Sequence, residues 1–226
     1  MTRLSLLVIV LGVAASASMF KTCQAGGAHI VGAGPSGICS QTGGPTGGNL
    51  LPGKYWEEEG GNRRDKKDTT GALEAFKRAA YYGNKDAQYD VAMMYMKGAK
   101  KVPVDIATGV AWLRLAAQYG HALSVDALNK LEPALTAEQR EMSMRLHAGL
   151  LPTYGMAVTR NRVLKQFQLQ RGLMAFADWI CVDGMAMAKD TYLHEVNQEF
   201  ADYVSTMFGT VTVEPIQSVD APNEKK

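Results

Sequence analysis

From Gly71 almost to the end of the chain, apolar residues recur every three or four positions, the spacing that lines one face of an α-helix. Leu169, Leu173, Phe176 and Ile180 fall on one face of a helix predicted over 162–180. Leu193, Val196, Phe200, Val204 and Met207 do the same over 190–207. Thr136 opens another helix with a capping box: its hydroxyl is placed to accept from the amide of Gln139, whose side chain reaches back to the Thr136 amide. That helix is expected to run to about Leu150, ahead of Pro152. No segment shows convincing two-residue alternation, so the pattern predicts an all-α protein. After Gly209 a short Val211 to Val213 piece leads to Pro215 and a polar end, so 213–226 is expected to be a disordered tail.

Ahead of the helical pattern the chain reads differently. Arg3 precedes the apolar run Leu4 to Ala15, which gives way to small residues. That order is the order of a secretory signal peptide, and the run is short for a membrane span. Segment 1–25 is therefore expected to direct export, with cleavage after Ala17 or Ala25. Glycine then recurs from Gly26 to Gly61, with Pro35, Pro45 and Pro52 between. Such a stretch keeps much backbone freedom and carries few apolar side chains, so 26–69 is expected to be a flexible linker ending in the mixed charges of Arg63 to Asp68.

An internal repeat organises the middle of the chain. Ala72 to Gly83 aligns without gaps on Gly109 to Gly120 at an offset of 37 residues, sharing an Ala-Ala pair followed three positions later by glycine. The alanines permit close helix approach, and the glycine ends the helix in a left-handed cap. The register continues, with Ala87 falling on Ser124 and Val91 on Leu128. In these residues, and in Val91-Ala92, Tyr95, Gly98, Val102, Asp105, Trp112-Leu113, Ala116-Ala117 and Gly120, the chain resembles the Sel1-like repeat family. Ala99-Lys100-Lys101 makes one loop a residue longer than the family's commonest spacing, and Ala92 stands where glycine is habitual. The resemblance covers about Thr70 to Leu131. It implies a short α/α solenoid of tetratricopeptide-like helical hairpins, occupying 70–151 with the helix that follows. Because about three repeats are normally needed to bury a continuous core, the helices of 152–212 are expected to cap the stack.

Apolar residues make up 46% and charged residues 20% of the chain, the balance of a globular protein. The formal charge of +2 becomes near neutral once Arg3 and Lys21 leave with the signal, which argues against general attraction to nucleic acid or anionic lipid. Cys39 and Cys181 stand either as a disulfide pair in an oxidising compartment or as two unpaired thiols, Cys181 being buried beside Trp179 and Ile180.

Several motifs carry less chemistry than their letters suggest. Gly32, Gly34 and Gly37 after Ile30-Val31 match a dinucleotide fingerprint, but the glycine-rich sequence that follows offers no helix, so they read as a decoy. His194 and Gln198 approach a zinc-helix motif with glutamine in the second ligand position, where it is a poor ligand. Arg160, Arg162, Lys165 and Arg171 form a basic stretch that either meets an acidic partner or is simply a solvated helix face.

The resemblance implies no cofactor and a binding role: an exported, periplasmic or secreted scaffold or adaptor for another protein. Its expected contact residues lie on the first helix of each hairpin, at Lys77, Arg78, Tyr81, Arg114 and Gln118. A narrower alternative is a neutralising, immunity-type partner of a secreted toxin or envelope enzyme. A third is a hydrolase with a site around His194, Glu195 and Glu199 in the C-terminal helices.

Overall fold

The structure, a computed structural model, describes residues 29–31, 50–174, 179–182 and 185–209. The signal-like segment 1–25, Cys39 and the tail expected over 213–226 lie outside the described residues. The described chain is predominantly helical. No helix in it is long and apolar enough to cross a membrane.

The repeat is visible as repeated geometry. Helices α1 (Pro52–Asp65), α2 (Thr69–Tyr81), α3 (Lys85–Lys97), α4 (Ile106–Gln118) and α5 (Ala122–Leu131) follow one another, each packed on the next in sequence. The two hairpins α2–α3 and α4–α5 start with the same cap: Asp68 accepts from the Gly71 amide, and Asp105 accepts from the Thr108 amide. Their turns match as well. Gly83 and Gly120 both adopt the left-handed region, at φ 76° and 70°. The Asn84 and His121 amides donate back to the carbonyls of Ala79 and Ala116, each at 3.2 Å. Asn84 then caps α3 through the Ala87 amide, and His121 caps α5 through the Ser124 amide. Sequence positions 37 apart thus perform the same local task.

The glycine-rich stretch ends earlier than its composition implies. Residues 52–65, expected to belong to the linker, form α1 and pack along α2. Pro52 suits a first helical turn because its missing N–H has no partner there anyway. The glycines within α1 serve close approach. A Cβ on Gly60 would stand 2.6 Å from the Phe76 ring, and one on Gly53 would stand 1.9 Å from the Tyr203 hydroxyl. Buried area against neighbouring elements outweighs the poor helix propensity of these residues.

After a 3-10 turn at Glu132–Ala134, α6 (Ala137–Tyr154) begins with the expected Thr136–Gln139 capping box. It runs past Pro152, because a proline near a helix end removes one hydrogen bond only, and the Gly155 amide closes the last turn on Leu151 at 2.9 Å. Helix α7 spans Met156–Met174, starting and ending earlier than the predicted 162–180. Ile180 lies instead in a small antiparallel sheet of β1 (His29–Val31), β2 (Trp179–Val182) and β3 (Met185–Ala188), in that order. The chain is predominantly helical, consistent with the all-α expectation, and this small sheet is an addition to it. Pieces of three and four residues are too short for alternation to show, and Asp183-Gly184 between β2 and β3 was the legible hairpin signal.

Helix α8 (Lys189–Phe208) closes the chain on both halves. Its buried stripe of Tyr192, Val196, Phe200, Tyr203, Val204 and Met207 stacks Phe200 flat on Phe167 of α7, centroids 3.6 Å apart. Its C-terminal end reaches the turn of the first hairpin. The Tyr203 hydroxyl donates to the Tyr82 carbonyl at 3.3 Å, and Lys85 donates to the Thr206 carbonyl at 2.8 Å. One apolar core therefore joins Leu50, Phe76, Val91, Leu113 and Leu115 to Val163, Ile180 and Val204.

Candidate functional site

The five expected contact residues do not share one condition. Arg78, Tyr81 and Gln118 are exposed, while Lys77 and Arg114 are half-buried. Lys77 donates to the Tyr95 hydroxyl at 2.8 Å, tying α2 to α3. Arg114 pairs with Glu132, a carboxylate it shares with Arg140 at 3.6 Å. Arg78 lies over the Trp56 ring, 4.5 Å from its centroid, and Tyr81 is covered by the Arg162 guanidinium at 3.4 Å. Trp56 comes from α1, inside the segment read from sequence as linker, so composition concealed it.

Each turn also reaches back to the helix that precedes its hairpin. Asn84 donates to Glu57 of α1 at 2.6 Å and to the Gly53 carbonyl at 3.3 Å. In the second turn the His121 Nδ1 accepts the Ser124 amide at 3.2 Å, which leaves the neutral ring's proton on Nε2, 3.1 Å from the Asp86 carboxylate of α3. Burial lowers the His121 pKa, with Asp86 opposing that shift. Burial raises the carboxyls of Glu57 and Asp90; Asn84 opposes it at Glu57, and Arg64 opposes it at Asp90.

Two of these acids border an open depression of about 390 Å³, lined by Lys54, Glu57, Glu58, Gly61, Arg64, Phe76 and Asp90. Arg64 bridges its walls by pairing with Asp90 at 3.1 Å. Behind the turns lies a polar cluster. The Tyr119 hydroxyl donates to the Tyr154 carbonyl at 2.6 Å and sits 2.5 Å from the Thr159 hydroxyl, and burial pushes its pKa up to about 12. Gln88 is fully buried beside it, and its amide makes no well-formed hydrogen bond.

The remaining candidates stand apart. His194 is exposed and meets Gln198 at 3.1 Å, while Glu199 pairs with Lys54 of α1 at 2.7 Å. Among the described residues no group of three His, Cys, Asp or Glu side chains is placed to hold a metal ion. Ile30 and Val31 do form a strand, but it pairs antiparallel with β2, unlike the parallel strand of a dinucleotide-binding unit. Cys181 pairs with His29 in that sheet, and Cys39 lies outside the described residues.

No protein-family model, curated protein or solved structure matches the chain. The Sel1-like resemblance therefore stands on the residues that carry it.

Proposed function

We propose that this chain is an exported Sel1-like repeat protein that serves as a protein–protein interaction scaffold or adaptor in the bacterial envelope. The observation that carries the reading is the 37-residue recurrence of cap, left-handed glycine and back-bonded turn in two successive hairpins. Hairpins that repeat with one geometry stack into a short α/α solenoid, and such stacks expose side chains along a continuous face. Here α1 and the α6–α8 helices take the place of further repeats at the two ends. Arg78, Tyr81 and Gln118 are the members of the expected contact set whose side chains are available to a partner, whereas Lys77 and Arg114 serve mainly to hold the stack together.

The test is affinity capture from an envelope fraction with the folded chain lacking 1–25, followed by reconstitution with the purified partner. A specific protein that binds in a fixed ratio supports the scaffold. Recovery of no specific protein from fractions where the bait is folded and abundant overturns it.

A further inference from the structure

Arg63, Arg64, Arg114, Arg140 and Arg145 each face a carboxylate within the fold. Arg78, Arg160, Arg162 and Arg171 differ, and of these Arg78 and Arg162 come together at Tyr81. Among the described residues neither has a carboxylate partner, and both lie on aromatic faces, Arg78 on Trp56 and Arg162 on Tyr81. Arg162 is fixed further by donating through Nη1 to the carbonyls of Tyr81 and Thr153. Arg78 and Tyr81 are three residues apart on α2, so they project side by side, about 5–6 Å between their Cβ atoms. Tyr55 extends the patch, edge-on to Trp56 at 5.1 Å. Tyr55 and Tyr81 remain 44% and 40% exposed.

We propose that Tyr55, Trp56, Arg78, Tyr81 and Arg162 form a docking surface for an acidic segment of a partner protein, a reading that rests on the scaffold function above. Stacking holds a guanidinium's plane while leaving edge N–H donors in the directions a carboxylate needs for paired hydrogen bonds, at Arg162 those of Nε and Nη2, since Nη1 is taken by the two carbonyls. Among the described residues neither cation has an ion-pair partner, whereas the depression bordered by Glu57 and Glu58 of α1 and Asp90 of α3 gathers acids. Glu57, Gly61 and Arg64 recur at i, i+4 and i+7, and Trp56, Glu59 and Arg63 make the neighbouring stripe, in which Glu59 is held by Arg63 at 2.6 Å. Glu74, one turn before Arg78, is the exposed acid of α2 closest along the helix, and it forms no ion pair with it. Two cations set among three aromatic rings suit carboxylates interleaved with apolar side chains. Such a patch has the composition that dominates binding hot spots. A nucleic acid draws its affinity from many phosphate contacts, and two cations in a near-neutral chain supply few.

The probe is a fluorescein-labelled twelve-residue peptide alternating Glu and Leu, beside its Gln/Leu counterpart, titrated into the folded chain lacking 1–25. Arg78 and Arg162 Nε–H and Trp56 indole N–H signals are followed by NMR. The expected result is that the acidic peptide shifts all three signals and binds at least tenfold more tightly than the neutral one. R78Q, a surface change, lowers that affinity at least threefold, and R78Q/R162Q lowers it at least tenfold with the thermal transition kept cooperative. Unmoved Arg78 and Arg162 signals, or equal affinity for the two peptides, overturn the proposal without need of any variant. The envelope capture separates the two readings. A partner retained equally by wild type and R78Q/R162Q leaves the scaffold standing and removes this surface.

Discussion

The hairpins α2–α3 and α4–α5 share their caps, their left-handed glycines and their back-bonded turns, yet they are buried differently. Helix α3 buries Ala87, Gln88, Val91 and Ala92, whereas α5 buries only Ser124 and leaves Leu123 and Val125 at 58% and 42% exposure. Val125 occupies the position of the fully buried Gln88, so the apolar residue is outside and the polar one inside. Local sequence makes each hairpin, and the neighbours decide what it hides. The first hairpin is enclosed by α1, α4 and the end of α8, while α5 leans on α4 and the 3-10 turn after it.

Truncating the cores of the two hairpins should produce the largest effects. Phe76→Ala and Leu113→Ala, 37 residues apart and both buried, should cost about 3–5 and about 2–5 kcal/mol respectively in urea unfolding. A loss below about 1 kcal/mol at Phe76 would show that α1 does not pack on it in solution. Next come the turn glycines. A Cβ on Gly120 meets nothing within 4 Å, so Gly120→Ala should cost only the left-handed backbone, about 1–2 kcal/mol. At Gly83 the added Cβ stands 2.6 Å from the Phe208 ring, so Gly83→Ala should cost about 1–3 kcal/mol more. Equal losses at the two glycines would remove α8 from the first turn.

Gln88→Met should raise stability by about 1 kcal/mol, since it removes a buried amide without well-formed partners and leaves the Tyr119 bonds to Tyr154 and Thr159 in place. A destabilised variant would mean that the amide has a partner which the second hairpin lacks.

The smallest effect concerns the two clasps, Asn84 on Glu57 and His121 on Asp86, of which only the second carries a titrating donor. His121 has its pKa lowered in the fold from 6.5, so the unfolded chain takes up its proton first. Its share of stability is complete above about pH 6.5 and is lost as the pH falls from there through the lowered value. His121→Asn, which copies the first turn and keeps a good cap, should remove that share; denaturation midpoints at pH 7.5 and 5.5 measure it. Glu57 and Asp90 act in the opposite sense at lower pH. Their raised values weaken the fold near neutrality, and this weakening is relieved as the pH falls through them.

Thr136 marked one helix start and Gly83 and Gly120 marked two turns in the sequence itself, because caps and left-handed glycines act within a few residues; the caps at Asp68, Asn84, Asp105 and His121 are equally local but went unread there. The apolar stripes likewise determined that α8 exists and which face it buries. Tertiary structure alone decided that residues 52–65 are helical, since Gly53 and Gly60 favour a helix only where Tyr203 and Phe76 press against them. It also decided that Ile180 joins a sheet, because strand pairing depends on a partner as distant in sequence as Ile30. The pairing of Arg78 with Trp56 and of Arg162 with Tyr81 has the same origin. Each joins residues more than 20 positions apart in the chain, and the energy that unites them is contact energy, which no local spacing encodes.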